Sequence, residues 1–211
     1  MNTSQVPNSN GSNGGLDHVA VLLGRLRMAW LLRRFPPRSV WSLYIFVNGF
    51  LTIALLALLA VLTGSPFVFP SLGPTAYLLF TAPLAVHACP RNTILGHAIG
   101  LICGYGALYI TGMTNMPYGQ PGGVYWPRIL AAALSLSATG AFMVLLRAGH
   151  PPAGATTMIV SLGIISKPKE LVIIEGAVFI LVAQALVINR LAGLHYPFWS
   201  SKAAAVKPSS S

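Results

Sequence analysis

Gly149-His150-Pro151-Pro152-Ala153-Gly154-Ala155-Thr156-Thr157 is the stretch that decides how this chain is read. Adjacent prolines with glycine on either side interrupt a polypeptide that is apolar before and after them. Proline lacks a backbone N–H and clashes with the preceding helical turn, so one helix must end here and another begin. A weaker copy lies upstream as Phe69-Pro70-Ser71-Leu72-Gly73-Pro74-Thr75-Ala76. Superposing Pro70 on Pro151 puts Gly73 on Gly154 and Thr75 on Thr156, a constant offset of 81 residues.

The surroundings of these breaks define the class. Of 211 residues, 55% are hydrophobic and 8% charged, with mean hydropathy +0.70. A soluble domain carries about 25% charged residues, so most of this surface meets lipid. The apolar runs are continuous rather than alternating, which points to helices and away from a β-barrel. The net charge of +10 sits mostly beside the apolar runs, where it sets orientation and meets anionic lipid rather than nucleic acid. Cys89 and Cys103 have no CxxC spacing and read as small apolar residues, so neither a metal site nor a cofactor is expected.

Along the chain, residues 1–15 read as a disordered polar tail. Residues 16–37 read as an interfacial amphipathic helix, with Leu23, Leu26 and Trp30 at helical spacing beside Arg25, Arg27, Arg33 and Arg34. Residues 38–111 form a first membrane repeat: a span over about Val40–Thr63, a short helix over 74–86, and a third segment over 92–110. Gly96, Gly100 and Gly104 give that third segment a small-residue stripe for close helix packing, within one subunit or between two in a homo-oligomer. A linker over 112–126 leads to a second repeat, 127–195, with a span to Leu146, a short helix over 153–166 and a last helix over 171–191. Residues 196–211 form a C-terminal tail.

The expected fold class is therefore an all-α membrane protein. Its six hydrophobic segments form an inverted 3+3 repeat, and the two short interrupted helices meet near the midplane. With the N-terminus cytoplasmic, ten Lys and Arg lie inside and only Arg128, Lys167 and Lys169 outside, as the positive-inside rule requires. Whether the 153–166 helix crosses or returns as a hairpin is open at this stage.

Irregular backbone at membrane depth survives only when buried in protein or lining a watery cavity. Each break precedes a short helix and so offers free N–H groups and the positive end of a helix dipole. Paired ends of this kind make an anion site and mark transporter binding sites. Gly73 and Gly154 would allow tight turns and close approach. Ser71, Thr75, Thr156 and Thr157 would donate hydroxyl hydrogen bonds to an oxyanion, or else cap the helices. His150 would add charge when protonated, or else be an interfacial residue hydrogen-bonded to backbone. A proton relay would draw on His97, His150 and Glu175, the last an ionisable residue inside an apolar segment, free to pair with Arg91 or His97. His97 on its own reads as a packing residue sooner than as a ligand.

SLGPTA (71–76), PRN (90–92) with GH (96–97), and HPPAGATT (150–157) resemble the HPP family of integral membrane proteins over about residues 38–195. The family includes nitrite transporters of plant plastids and related cyanobacterial proteins. The resemblance implies transport of nitrite, a small monovalent anion. The absence of an Arg-rich leader favours a bacterial, cyanobacterial-type plasma membrane over a plastid membrane. Nitrate, formate and bicarbonate satisfy the same chemistry, through a carrier or a channel. A non-transporting scaffold or sensor is the alternative. An enzyme is disfavoured, because no HExxH, GxSxG or paired-carboxylate motif is present.

Overall fold

The computed structural model describes residues 27–116, 118 and 125–201. The expectations for the N-terminal tail, most of the interfacial helix, part of the linker and the last ten residues lie outside the described residues. Among the described residues the fold is all-helical, without strands. The helices are α1 (Met28–Arg34), α2 (Pro37–Thr63), α3 (Leu72–Thr81), α4 (Pro90–Ile110), α5 (Trp126–Leu145), α6 (Ala153–Ser161) and α7 (Pro168–Leu191), with a 3-10 turn at Val86–Ala88. Four of them, α2, α4, α5 and α7, are long and apolar enough to cross a membrane.

Local chemistry sets the ends. Helices α2, α4, α5 and α7 all carry proline in the first turn, where its missing N–H leaves no bond unmade. Helix α2 stops at Gly64, which takes the left-handed conformation at φ 62°. The short helices are shorter than expected. Helix α3 runs Leu72–Thr81 rather than 74–86, because Ala82 precedes Pro83 and is held out of the helical region. Helix α6 stops at Ser161 rather than 166, ended by Gly163 at φ 78°.

Helix α4 is the hub, touching α5, α6 and α7. Its glycine stripe lies against α6 of the same chain. A Cβ on Gly96 would fall 2.6 Å from the His150 Cβ, one on Gly100 2.8 Å from the Ala153 carbonyl, and one on Gly104 2.8 Å from the Val160 Cβ. The matched order of these contacts makes α4 and α6 parallel. The start of α6 thus lies near the start of α4, and Gly163 reaches the Arg128 side chain at the start of α5. The 153–166 segment therefore runs alongside α4 toward the end of the bundle where α5 starts.

Other contacts fix the remaining directions. Arg91 at the start of α4 donates to the Leu146 and Arg147 carbonyls after α5. Tyr44 near the start of α2 donates to Asn189 near the end of α7, and Asn189 donates to the Leu79 carbonyl near the end of α3. The Tyr196 hydroxyl donates to the Ala88 carbonyl, and burial raises this phenol so that the donor proton stays in place. The starts of α2, α4 and α6 and the ends of α3, α5 and α7 thus share one end of the bundle. Leu72, Leu79 and Phe80 of α3, Leu108 of α4 and Ile174, Val178 and Leu181 of α7 are fully or almost fully buried in one core cluster. By contrast, Phe46, Phe50, Val61 and Leu62 of α2 point outward, an apolar face that suits lipid.

Candidate functional site

The two interrupted stretches converge on one side chain of α4. Thr75 stands in the first turn of α3, Thr156 in the first turn of α6, and His97 two turns into α4. His97 Nε2 lies 2.9 Å from Thr75 Oγ1, and its Nδ1 lies 2.7 Å from Thr156 Oγ1. His150 completes the group, its Nε2 3.3 Å from the same Thr75 Oγ1. The two imidazole centroids are 5.1 Å apart. All four residues are 0% exposed. His97 is seven residues from Pro90 and three from Gly100 at the middle of α4, about 10 and 5 Å along the helix, so the meeting point lies nearer the middle of α4 than its end.

The partners constrain the protons. His150 Nδ1 donates to the His87 carbonyl at 2.7 Å, which leaves Nε2 of a neutral ring as an acceptor facing Thr75. His87, on the exposed rim, donates from Nδ1 to the Gly149 carbonyl at 2.8 Å and pins the turn before the prolines. Thr75 Oγ1 also reaches the Ser71 carbonyl at 3.1 Å. Its single proton therefore has three acceptors within reach: Ser71 O, His150 Nε2 and His97 Nε2.

Two expectations about the breaks are corrected. The first-turn N–H groups of α6 are not free: Ala153, Gly154 and Ala155 donate to the His150, Pro151 and Pro152 carbonyls at 3.0, 3.0 and 3.1 Å. A tightened turn of this kind is a common way to satisfy a helix start. Donors at the second break are consequently side chains, not backbone amides. Gly73 and Gly154 are also not tight-turn positions. Both are helical, neither has a positive φ, a Cβ on Gly73 meets nothing within 4 Å, and one on Gly154 meets only Leu136 at 3.5 Å.

The remaining sequence candidates divide. Thr157 is buried, with its hydroxyl on the Ala153 carbonyl at 3.2 Å and on Thr139 Oγ1 of α5 at 2.9 Å. Ser71 is fully buried, and its hydroxyl has no partner among the described residues. Glu175 pairs with neither Arg91 nor His97; both carboxyl oxygens are buried and without a partner among the described residues. Thr139, His87 and Asn189 were not singled out by the sequence. A threonine in an apolar run gives no sign of facing a partner until the helices are placed.

A family profile described as HPP, transmembrane region, matches residues 35–197. The chain belongs to the HPP transmembrane family. Two Dictyostelium discoideum proteins, each described as a transmembrane protein, are similar to it. One is 27% identical over 158 residues, covering 72% of this chain and 52% of the relative. The other is 32% identical over 127 residues, covering 56% of this chain and 35% of the relative. The chain thus spans about half or less of the curated relatives it matches. No solved structure matches it. The Thr75–His97–His150–Thr156 cluster lies wholly inside the part that matches the HPP family.

Proposed function

We propose that this HPP-family chain is a membrane transporter of a small inorganic anion, nitrite first, held between the first turns of α3 and α6. The observation that carries the reading is the buried threonine–histidine cluster formed where the two breaks meet. Polar side chains inside an apolar bundle are costly and mark binding sites or pathways. Hydroxyls and imidazoles are donors suited to an oxyanion, no carboxylate joins the cluster, and the starts of α3 and α6 add partial positive charge. The unpartnered hydroxyl of Ser71, one turn before Thr75, supplies a further donor.

The neighbour pattern supports an inverted repeat behind this site. Exchanging α2 with α5, α3 with α6 and α4 with α7 turns the pairs α4–α6, α4–α5 and α5–α6 into α7–α3, α7–α2 and α2–α3, each of which is also in contact. The α4–α7 contact maps onto itself. On this reading the end bearing Arg91, Arg147 and Arg190 is cytoplasmic, Arg33 and Arg34 meet anionic lipid, and the setting is a bacterial plasma membrane. No enzymatic step and no nucleic-acid partner belong to it.

Nitrite flux into liposomes holding the purified protein tests the reading, with Thr75→Val and Thr156→Val as partners. Flux above empty liposomes that falls at least tenfold in both variants, each still folded, is the expected result; a tenfold loss corresponds to about 1.4 kcal/mol. A second reading, a packing scaffold, draws on the fact that both nitrogens of each buried imidazole are already bonded. Absence of flux for nitrite, nitrate, formate and bicarbonate would favour it.

A further inference from the structure

We infer that transport is coupled to one proton per monovalent anion, and that the His97–Thr75–His150 bridge carries that proton. The inference rests on the anion-transport reading and adds the ion that accompanies the substrate. It starts from the absence, among the described residues, of a resident counter-charge around the cluster. Helix α6 carries no ionisable side chain, and α3 carries only Tyr77, which is exposed. On α4, Arg91 is engaged by the Leu146 and Arg147 carbonyls, and Cys89 lies just before the helix. Arg128 of α5 is held on the Met116 carbonyl at the opposite end of the bundle. On α7, Glu170 lies beside Lys167, Arg190 donates to the Tyr196 carbonyl, and Glu175 makes no bond to the cluster.

An anion taken into such a dry site without a partner charge costs many kcal/mol, so it enters paired or not at all. His97 and His150 are the ionisable groups within the cluster. With their rings 5.1 Å apart and buried, one imidazolium strongly disfavours a second. One proton therefore accompanies one anion.

The bridge gives that proton a place. Thr75 Oγ1 stands between the two Nε2 atoms at 2.9 and 3.3 Å. When His150 Nε2 takes up a proton it donates to Thr75 Oγ1. The Thr75 hydroxyl then turns its own hydrogen to His97 Nε2, and His97 Nδ1–H donates to Thr156. Should the proton reside on His97 instead, its Nε2–H donates to Thr75 and the hydroxyl hydrogen turns to His150 Nε2. No covalent bond to carbon changes, and the proton leaves with the anion on the far side, so the cycle moves no net charge.

The test records nitrite uptake and internal pH together in liposomes whose membrane potential is clamped with potassium and valinomycin. Only the protein-dependent part is scored, above the leak of neutral nitrous acid in empty liposomes. The expected result is a protein-dependent initial rate with one proton entering per nitrite, indifferent to the clamped potential and rising with the inward proton gradient. Thr75→Ser, which keeps the bridging hydroxyl, should keep the flux with its count of one proton per nitrite, whereas Thr75→Val should lose the gradient response together with the flux. Should Thr75→Val fail to fold, the proton count and potential independence of the wild type decide alone. Flux that follows the potential and leaves internal pH unchanged overturns the coupling while transport stands. No flux for any of the anions overturns the transport reading, and the coupling with it.

Discussion

Thr75 and Thr156, 81 residues apart, bond the two ring nitrogens of one imidazole: Oγ1 of Thr75 lies 2.9 Å from His97 Nε2, and Oγ1 of Thr156 lies 2.7 Å from His97 Nδ1. They are the threonines that superpose when the two proline-interrupted stretches are laid over each other. Matched positions in the sequence have become opposite sides of one buried side chain.

Replacing that side chain should be costly. His97→Phe keeps the ring volume but strips both hydroxyls of a partner in a site without water contact. Thr75 keeps the Ser71 carbonyl and His150 within reach, so the orphaned Thr156 hydroxyl carries the expected cost of about 1–3 kcal/mol. Thermal unfolding in detergent should show a fall of several degrees, at about 2–4 °C per kcal/mol for a chain of this size. An unchanged midpoint would mean that the hydroxyls find other partners.

The glycines of the stripe and the glycine of the first break should behave in opposite ways. Gly100→Ala places a methyl 2.8 Å from the Ala153 carbonyl, a backbone atom that cannot turn aside, and is expected to destabilise by about 1–3 kcal/mol. Gly73→Ala meets nothing within 4 Å on a helical backbone, and should be neutral or stabilising by up to about 1 kcal/mol. Unfolding midpoints of the two variants, measured side by side, decide the matter; equal losses would argue against the α4–α6 contact.

Arg147 is the single non-glycine residue with positive φ, 50°, among the described residues. A left-handed conformation costs an ordinary L-residue roughly 1–2 kcal/mol. Arg147→Gly should raise the unfolding midpoint, since Arg91 contacts the Arg147 carbonyl and not its side chain. A fall would show that the lost guanidinium outweighs the relieved backbone.

Asn189 ties three helices, accepting from Tyr44 at 2.7 Å and donating to the Leu79 carbonyl at 3.2 Å while 0% exposed. Asn189→Leu should cost about 1–3 kcal/mol. In a double-mutant cycle with Tyr44→Phe, the two losses should fall short of additivity by about 0.5–1.5 kcal/mol. Strict additivity would deny the Tyr44–Asn189 bond.

Much of the fold is legible in the chain because its signals are local. A run such as Asn48–Leu62 must be a helix in lipid, where each N–H needs a partner within the segment. Pro37, Pro90, Pro127 and Pro168 each announce a helix start through a missing donor. The stripe Gly96–Gly100–Gly104 announces a close neighbour. None of these local signals says which neighbour, and α6 of the same chain filled the place. The free amides expected at the second break were likewise out of reach, because the tightening of the His150–Ala155 turn depends on backbone angles that the residue types leave open.

By itself the sequence determined a helical membrane bundle with paired breaks, since hydropathy, proline and glycine act over a few residues. The HPP stretch and its weaker copy could be matched because both sit on one line of text. Only the tertiary structure decided that His97 stands between Thr75 and Thr156, that Glu175 stands apart from the cluster, and that Thr139 meets Thr157. Hydrogen bonds between residues 18 to 75 positions apart depend on helix rotation and depth, and these are set by side-chain packing across the bundle rather than by any segment alone.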